Sequence, residues 1–360
     1  MDFGLSDDQT LLQTSLSRVL NVAAPLARVR RFAEDETDKA SDVWDALASL
    51  GLPGLVIAPA RGGMGLGLLD AALAAECLGR HVAPIPFAAT SVMVPLALQD
   101  AGTTAQCARW LPSLAEGACT AGLAVSEHTG AKEDAGVRYI DGRLCGRALF
   151  VLDFAADVFL VADESARLYL VERDAAGLEA RSLVSIDRSR RLGELLFRAV
   201  PAVCLPGSEN PLVLQRTLDR GRVLLAADTL GAAQHMLDAA VSYAGTRQQF
   251  GRVIGSFQAV KHLCAEMAAA LEPCRALLWY AAHSLDLEAT DAHITACHTK
   301  AHMAEVGKFV AKTATEVHGG VGFTDLLGLH YWFKRIGLNR QWLGSPERLR
   351  HEAARAQGYA

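Results

Sequence analysis

Apolar residues change their spacing twice along this chain, and that double change leaves few folds open to it. Over residues 1–118 they recur at helical intervals, with an Ala- and Leu-rich run from Leu68 to Leu78 broken on either side by Gly and Pro clusters. Between about 120 and 203 the pattern turns to short β-type runs separated by turn residues: AGLAVSE, VRYIDGRLCG, ADVFLVAD, ARLYLVER and GELLFRAVPAV. Asp141-Gly142 splits two of these runs as a hairpin turn would. From Pro211 the helical period returns. Leu224, Ala227, Leu230, Gly231, Leu237 and Val241 share one side of a long helix, and two further amphipathic helices are expected over about 256–285 and 291–317. Short links between them predict an antiparallel bundle, while strands that follow strands predict a small antiparallel barrel or sandwich. The expected fold class is α+β: an all-α unit over 1–118, a β-barrel or sandwich unit over 119–208, and a four-helix-bundle unit over 209–360.

Size and charge remove several function classes. The chain has 360 residues, 51% of them apolar, enough for two or three packed units. Its net charge of −5 is spread along the chain without a basic stripe, so nucleic acid is not an expected partner. The N-terminus carries acidic residues where a secretory signal needs cations, and no run approaches the ~20 uninterrupted apolar residues that span a bilayer. No membrane partner and a cytoplasmic address are expected. The eight cysteines show no CxxC pair and no ligand spacing with His, so neither a metal site nor a disulfide framework is expected. Gly62, Gly63, Gly65 and Gly67 precede a helix but lack the GxGxxG spacing and a preceding strand, which favours a plain loop over a dinucleotide turn.

Three blocks in the last third carry more information: RQQFGRVIGSFQAVKH (247–262), EVHGGVGFT (316–324) and QWLGSPERLR (341–350). Arg247 offers a charge-assisted fork to phosphate, Phe250 a flat apolar face, and Gln258 both donor and acceptor to an adenine or ribose. Gly319 and Gly320 let main-chain amides approach a ligand closely. Read singly, Arg247 is also an ordinary helix-end cation and the glycines an ordinary helix C-cap. Together with the α, β, α order, WLPSLAEG and PARGGMGLG, the blocks resemble the acyl-CoA dehydrogenase superfamily over essentially the whole chain.

That resemblance implies FAD as cofactor, an acyl-CoA thioester as substrate, a tetramer, and an electron-transfer flavoprotein as acceptor. It assigns Arg247, Phe250, Gln258, Gly319 and Gly320 to the FAD of a neighbouring subunit. Ser126 then bonds the flavin ring, Val125 gives a main-chain contact, and Ser345 belongs to the same cofactor site. The family's Gly-Ser-Asp after this stretch is replaced by Lys132, Glu133 and Asp134, and GRALFVLDF lacks its Trp-Ile-Thr.

The base is the anomaly. Dehydrogenation of an acyl thioester needs a carboxylate to take the α-proton while the flavin accepts hydride from the β-carbon. Most of the family places a Glu in a Tyr-Glu-Gly-Thr-like motif, which here reads Trp342-Leu343-Gly344-Ser345. A minority places it before an Arg at the start of the long helix, which here reads Gly221-Arg222. Asp228 is the remaining candidate, on the same helix face as Gly221 but about 10 Å further along. Its apolar neighbours are expected to raise its pKa, and a purely structural Asp fits the pattern equally. Asp219 is expected to be a solvated or helix-start acid flanked by Arg216 and Arg220. His235, His262 and His298 read as structural, and His318 as the histidine nearest the cofactor.

The later blocks look most like the subgroup that dehydrogenates CoA thioesters of steroid side chains and other bulky rings, some of whose members are heterotetramers with shared FAD sites. The expectation is such a subunit, with Trp332 and Phe333 packing against other subunits. A self-sufficient homotetramer using Asp228 and a non-catalytic partner or scaffold subunit are the alternatives.

Overall fold

The computed structural model describes residues 4–130 and 135–359. Lys132, Glu133 and Asp134, and whatever they contribute to a flavin site, lie outside the described residues. The chain opens with helices α1 (Asp7–Ala23), α2 (Leu26–Glu34), α3 (Ser41–Ala48), α4 (Leu68–Arg80), α5 (Val94–Ala101) and α6 (Thr104–Ala115). Reciprocal capping boxes start α1 and α6: Ser6 with Gln9, and Thr103 with Gln106. The glycine-rich loop does lead into α4, but the Leu68 amide at its N-terminus donates to both carboxylate oxygens of Asp286, at 3.0 and 2.9 Å. An in-chain anion occupies the place where a phosphate would sit.

The β unit contains β1 (Ala121–Ala124), the short α7 (Ser126–Thr129), β2 (Gly136–Ile140), β3 (Arg143–Leu152), β4 (Val158–Ala162), β5 (Leu168–Glu172), β6 (Leu178–Ser182), β7 (Leu192–Pro201) and β8 (Val203–Cys204). They form one sheet in the order β6-β7-β3-β1-β4-β5-β8, with β2 on β3. Asp141 and Gly142 both have positive φ, 48° and 81°, as the hairpin between β2 and β3 requires. One pair departs from the antiparallel expectation. β3 runs against β1 on one side, and the turn after it crosses to the other side, so β4 runs parallel to β1. β4 is buried throughout because both its faces are covered. Val158, Leu160 and Ala162 pack with Leu98, Leu218 and Leu225 of the helical units, while Phe159 and Val161 pack with Leu144, Leu195 and Phe197 inside the sheet's own curve.

The C-terminal unit follows as α8 (Leu212–Thr246), the strand pair β9 (Gln248–Gln249) and β10 (Arg252–Val253), α9 (Gln258–Asp286), α10 (Ala292–His318), α11 (Leu329–Gln341) and α12 (Pro346–Ala356). α8 is the axle of the molecule. It packs with α4, α9, α10 and α11, while Leu214, Leu218 and Leu225 reach the core shared with the sheet. Trp332 is buried within this chain, donating from Nε1 to the Arg80 carbonyl at 2.9 Å and stacking on His235. This corrects the assignment of Trp332 to packing between subunits; Phe333 is partly exposed.

α4 and α8 touch backbone to backbone. A Cβ added at Gly231 would lie 1.8 Å from the Glu76 carbonyl oxygen, and one at Gly79 would lie 1.9 Å from that of Asp228. Gly245, on the same helix, has nothing within 4 Å of such a Cβ. Gly231→Ala should therefore push the helices apart and cost about 1–3 kcal/mol or more in urea unfolding. Gly245→Ala should be neutral or stabilise by up to about 1 kcal/mol.

Candidate functional site

A cavity of about 690 Å³ lies between the sheet and the turn from α11 to α12. Its inner wall is apolar, with Leu123, Val125, Leu149, Leu192, Trp342 and Leu343. Val125 and Ser126 reach it because β1 ends there and α7 turns the chain aside. The buried Ser126 Oγ accepts from the Leu149 amide at 2.9 Å, which leaves its own hydrogen free to donate. Ser345 lines the opposite side and caps α12, its hydroxyl accepting from the Arg348 amide at 3.4 Å. The cavity thus unites Val125, Ser126 and Ser345.

The two positions at which a family carboxylate could stand turn out to be neighbours, and both are apolar. A Cβ built on Gly221 would lie 2.5 Å from Leu343 Cδ1 and 2.5 Å from Met93 Cε. Leu343 is buried and holds a left-handed φ of 61°. Arg222 fixes that backbone by donating from Nε to the Leu343 carbonyl at 3.1 Å.

Asp228 does not have the environment its apolar sequence neighbours suggest. Burial alone would raise its carboxyl, but Arg190 and Arg335 beside it, with the Asn339 amide, outweigh burial and hold it below the ordinary carboxylate range. Arg190 lies 2.9 Å and Arg335 3.1 Å from Oδ2, and Asn339 Nδ2 donates to Oδ1 at 2.6 Å. The expectation of a raised pKa and a free base at Asp228 is therefore corrected: both oxygens are committed, and Asp228 is absent from the lining of the large cavity.

Asp219 needs a correction as well. It is buried, not solvated, and joins Arg222 at 2.8 Å and His293 Nδ1 at 2.8 Å. The Asp219 hydrogen bond, Cys297 and the Asp219 charge together raise His293 to about 10, against the cost of burial. Among the described residues, Asp219, His293 and Cys297 are the group whose ligand-type atoms come within 4.8 Å of one another. Arg222 Nη1 is 3.5 Å from the Cys297 sulfur, so a fixed cation already neutralises this cluster.

The other sequence-marked residues occupy a separate, outward-facing surface. Phe250 is 91% exposed at the tip of the β9–β10 hairpin, where it and Gly251 both have positive φ, at 53° and 77°. Arg247 and Gln258 are exposed at the two ends of this segment. Gly319 ends α10 at φ 64°, ψ −145°, a conformation open to glycine alone. A Cβ on Gly320 would meet nothing of this chain within 4 Å. His318 faces inward instead, bonding the Ala314 carbonyl at 2.7 Å and stacking on Tyr243.

Residues 6–118 match the family described as Acyl-CoA dehydrogenase, N-terminal domain, and residues 212–358 match Acyl-CoA dehydrogenase, C-terminal domain. Acyl-CoA dehydrogenase IpdE2 of Mycobacterium tuberculosis is 30% identical over 340 residues, covering 94% of this chain and 93% of that protein. This chain belongs to the acyl-CoA dehydrogenase family. IpdE2 of Mycolicibacterium smegmatis is 29% identical over 354 residues, covering 96% of this chain and 98% of that protein. A variant of the Tcur3481-Tcur3483 steroid ACAD matches in structure with a TM-score of 0.89 at 30% identity, over 98% of both chains.

As an acyl-CoA dehydrogenase, the protein is an oxidoreductase acting on a CH–CH group with FAD as cofactor. The residues present fit that group in two places. The apolar cavity with a free Ser126 hydrogen suits a flat ring system, and the bare Gly320 backbone is open to a ligand held outside this chain. No described helix is long and apolar enough to cross a membrane.

Because Asp228 neutralises two buried guanidiniums, Asp228→Ala should cost about 3–5 kcal/mol of stability and Asp228→Asn less. A carboxyl held low in the folded state contributes stability above its unfolded pKa and loses it as pH falls through the folded value. The gap between wild type and Asp228→Asn in urea unfolding should therefore be steady from pH 6 to 8 and close below about pH 4.

Proposed function

We propose that this chain is one subunit of a heterotetrameric acyl-CoA dehydrogenase for a bulky, steroid- or ring-derived thioester, with each FAD site shared between unlike subunits. The observation that carries the reading is the apolar contact of Gly221, Leu343 and Met93. Deprotonating the α-carbon needs an acceptor within about 3 Å of the proton, and both family positions for it lack one. Asp228, the base of a self-sufficient homotetramer, is held in an ion cluster instead. The similarity to IpdE2 and to a steroid ACAD named for a Tcur3481-Tcur3483 pair supports the subgroup.

In this reading the chain contributes in two directions. Val125, Ser126 and Ser345 line a cavity for the flavin ring, while Arg247, Phe250, Gln258, Gly319 and Gly320 grip the nucleotide half of the FAD in an adjoining protomer. The hairpin turn supports the second role, since Phe250 is held at positive φ with its ring 91% exposed, meeting Phe257 edge-on at 6.1 Å between centroids and leaving its face open to a ligand. The flavin, when bound, would supply the hydride acceptor for the β-carbon. This chain's residues orient the ring and exclude water, and the partner supplies the base. An electron-transfer flavoprotein then takes the electrons, and the assembly works in the cytoplasm.

Two measurements test this. Expressed alone, the chain should be colourless or weakly coloured and unbleached by acyl-CoA, and it should turn yellow and bleach with its partner. A lone chain that is yellow and bleaches would instead support the homotetramer, while a coloured complex that acyl-CoA never bleaches would support the scaffold. The second measurement restores the base: Leu343→Glu should allow bleaching in a complex whose partner base is removed. If that variant binds flavin yet stays unbleached, more than the base is missing from this chain's site.

A further inference from the structure

We propose that Arg348 is the cation that holds the phosphate end of a flavin nucleotide in this chain's own cavity. This rests on the reading that the cavity takes the flavin ring. The cavity is polarised: its inner wall is apolar, whereas Ser345 and Arg348 of α12 meet Thr129 and Gly130 at the end of α7, where Arg348 reaches the His128 carbonyl. Such a shape suits a ligand with a flat apolar head and an anionic tail.

Arg348 is the one cationic side chain in the described lining. Its guanidinium is oriented by two contacts, from Nε to Glu352 Oε1 at 2.8 Å and from Nη2 to the His128 carbonyl at 3.0 Å. Nη1 makes neither contact, and it lies 3.4 Å from where a Cβ on Gly130 would stand. Glycine at that point, with φ 105°, keeps the approach to Nη1 open. Glu352 also accepts from Arg222 Nη2 at 2.7 Å, so the carboxylate that orients Arg348 is itself fixed from the core. The donor is therefore preorganised, which lowers the entropic cost of gripping an anion. Ser345, one turn earlier, adds a hydroxyl at the start of α12, whose N-terminal end favours negative charge.

The test compares ligands with and without phosphate on the flavin-free complex containing this chain. FAD and riboflavin are titrated by flavin fluorescence into wild type, Arg348→Gln and Arg348→Lys. Arg348→Gln should weaken FAD by about 10- to 100-fold. Its riboflavin affinity should stay within about twofold of wild type, and Arg348→Lys should recover part of the FAD affinity. Equal loss of FAD and riboflavin in both variants would show that Arg348 only braces the cavity, and overturns the proposal. So does FAD binding unaltered in Arg348→Gln, which leaves the shared-flavin reading standing. Wild-type complex that takes up neither ligand overturns both.

Discussion

Arg222 is a fully buried cation, and the geometry around it determines how the rest of the site is arranged. Its guanidinium links Asp219 on α8, the Leu343 carbonyl and Glu352 on α12. Breaking one arm would leave charge uncompensated in a low-dielectric core, at a cost of about 3–5 kcal/mol. The turn from α11 to α12 is therefore locked, including the left-handed backbone at Leu343 and Gly344. That lock points Leu343 at Gly221, closes the space where a carboxylate would stand, and sets α12 so that Ser345 and Arg348 face the cavity.

A second ion cluster holds the β unit to the C-terminal helices. Asp228 of α8, Arg190 of the loop before β7 and Arg335 of α11 meet in the interior, and Arg335 also reaches Asp187 at 3.2 Å. Burial, opposed only in part by Arg190 and Arg335, lifts nearby Asp153 to about 7. Two carboxyls a short distance apart are thus driven in opposite directions, and direct ion pairing decides which way each one goes. Asp228 serves the joint between helices and sheet, with both its oxygens engaged by Arg190, Arg335 and Asn339.

Much of the architecture was legible in the sequence because it depends on local periodicity. The two changes of hydrophobic spacing, the Asp141-Gly142 hairpin and the long C-terminal helices follow from side chains a few residues apart. Family blocks marked the residues of the cavity and of the outer surface. The fate of Asp228 was hidden because its partners Arg190 and Arg335 are 38 and 107 residues away. Asp219 was misread for the same reason, its histidine partner lying 74 residues downstream. The parallel β1–β4 pair depends on which side of β1 a turn crosses, and Trp332 on a contact with Arg80 252 residues away. Arg348 went unmarked because an arginine on an amphipathic helix looks solvated until the cavity beside it is seen.

A shared site requires one flavin gripped by two chains, with this chain's hairpin and glycine pair on the nucleotide half. A structure of the flavin-loaded oligomer tests it most directly. Arg247 is expected within hydrogen-bonding distance of the pyrophosphate, and Gly319 and Gly320 against the adenine half, of an FAD whose ring lies in another protomer. Arg247 and Gly319 facing solvent, with no dinucleotide near them, would contradict it.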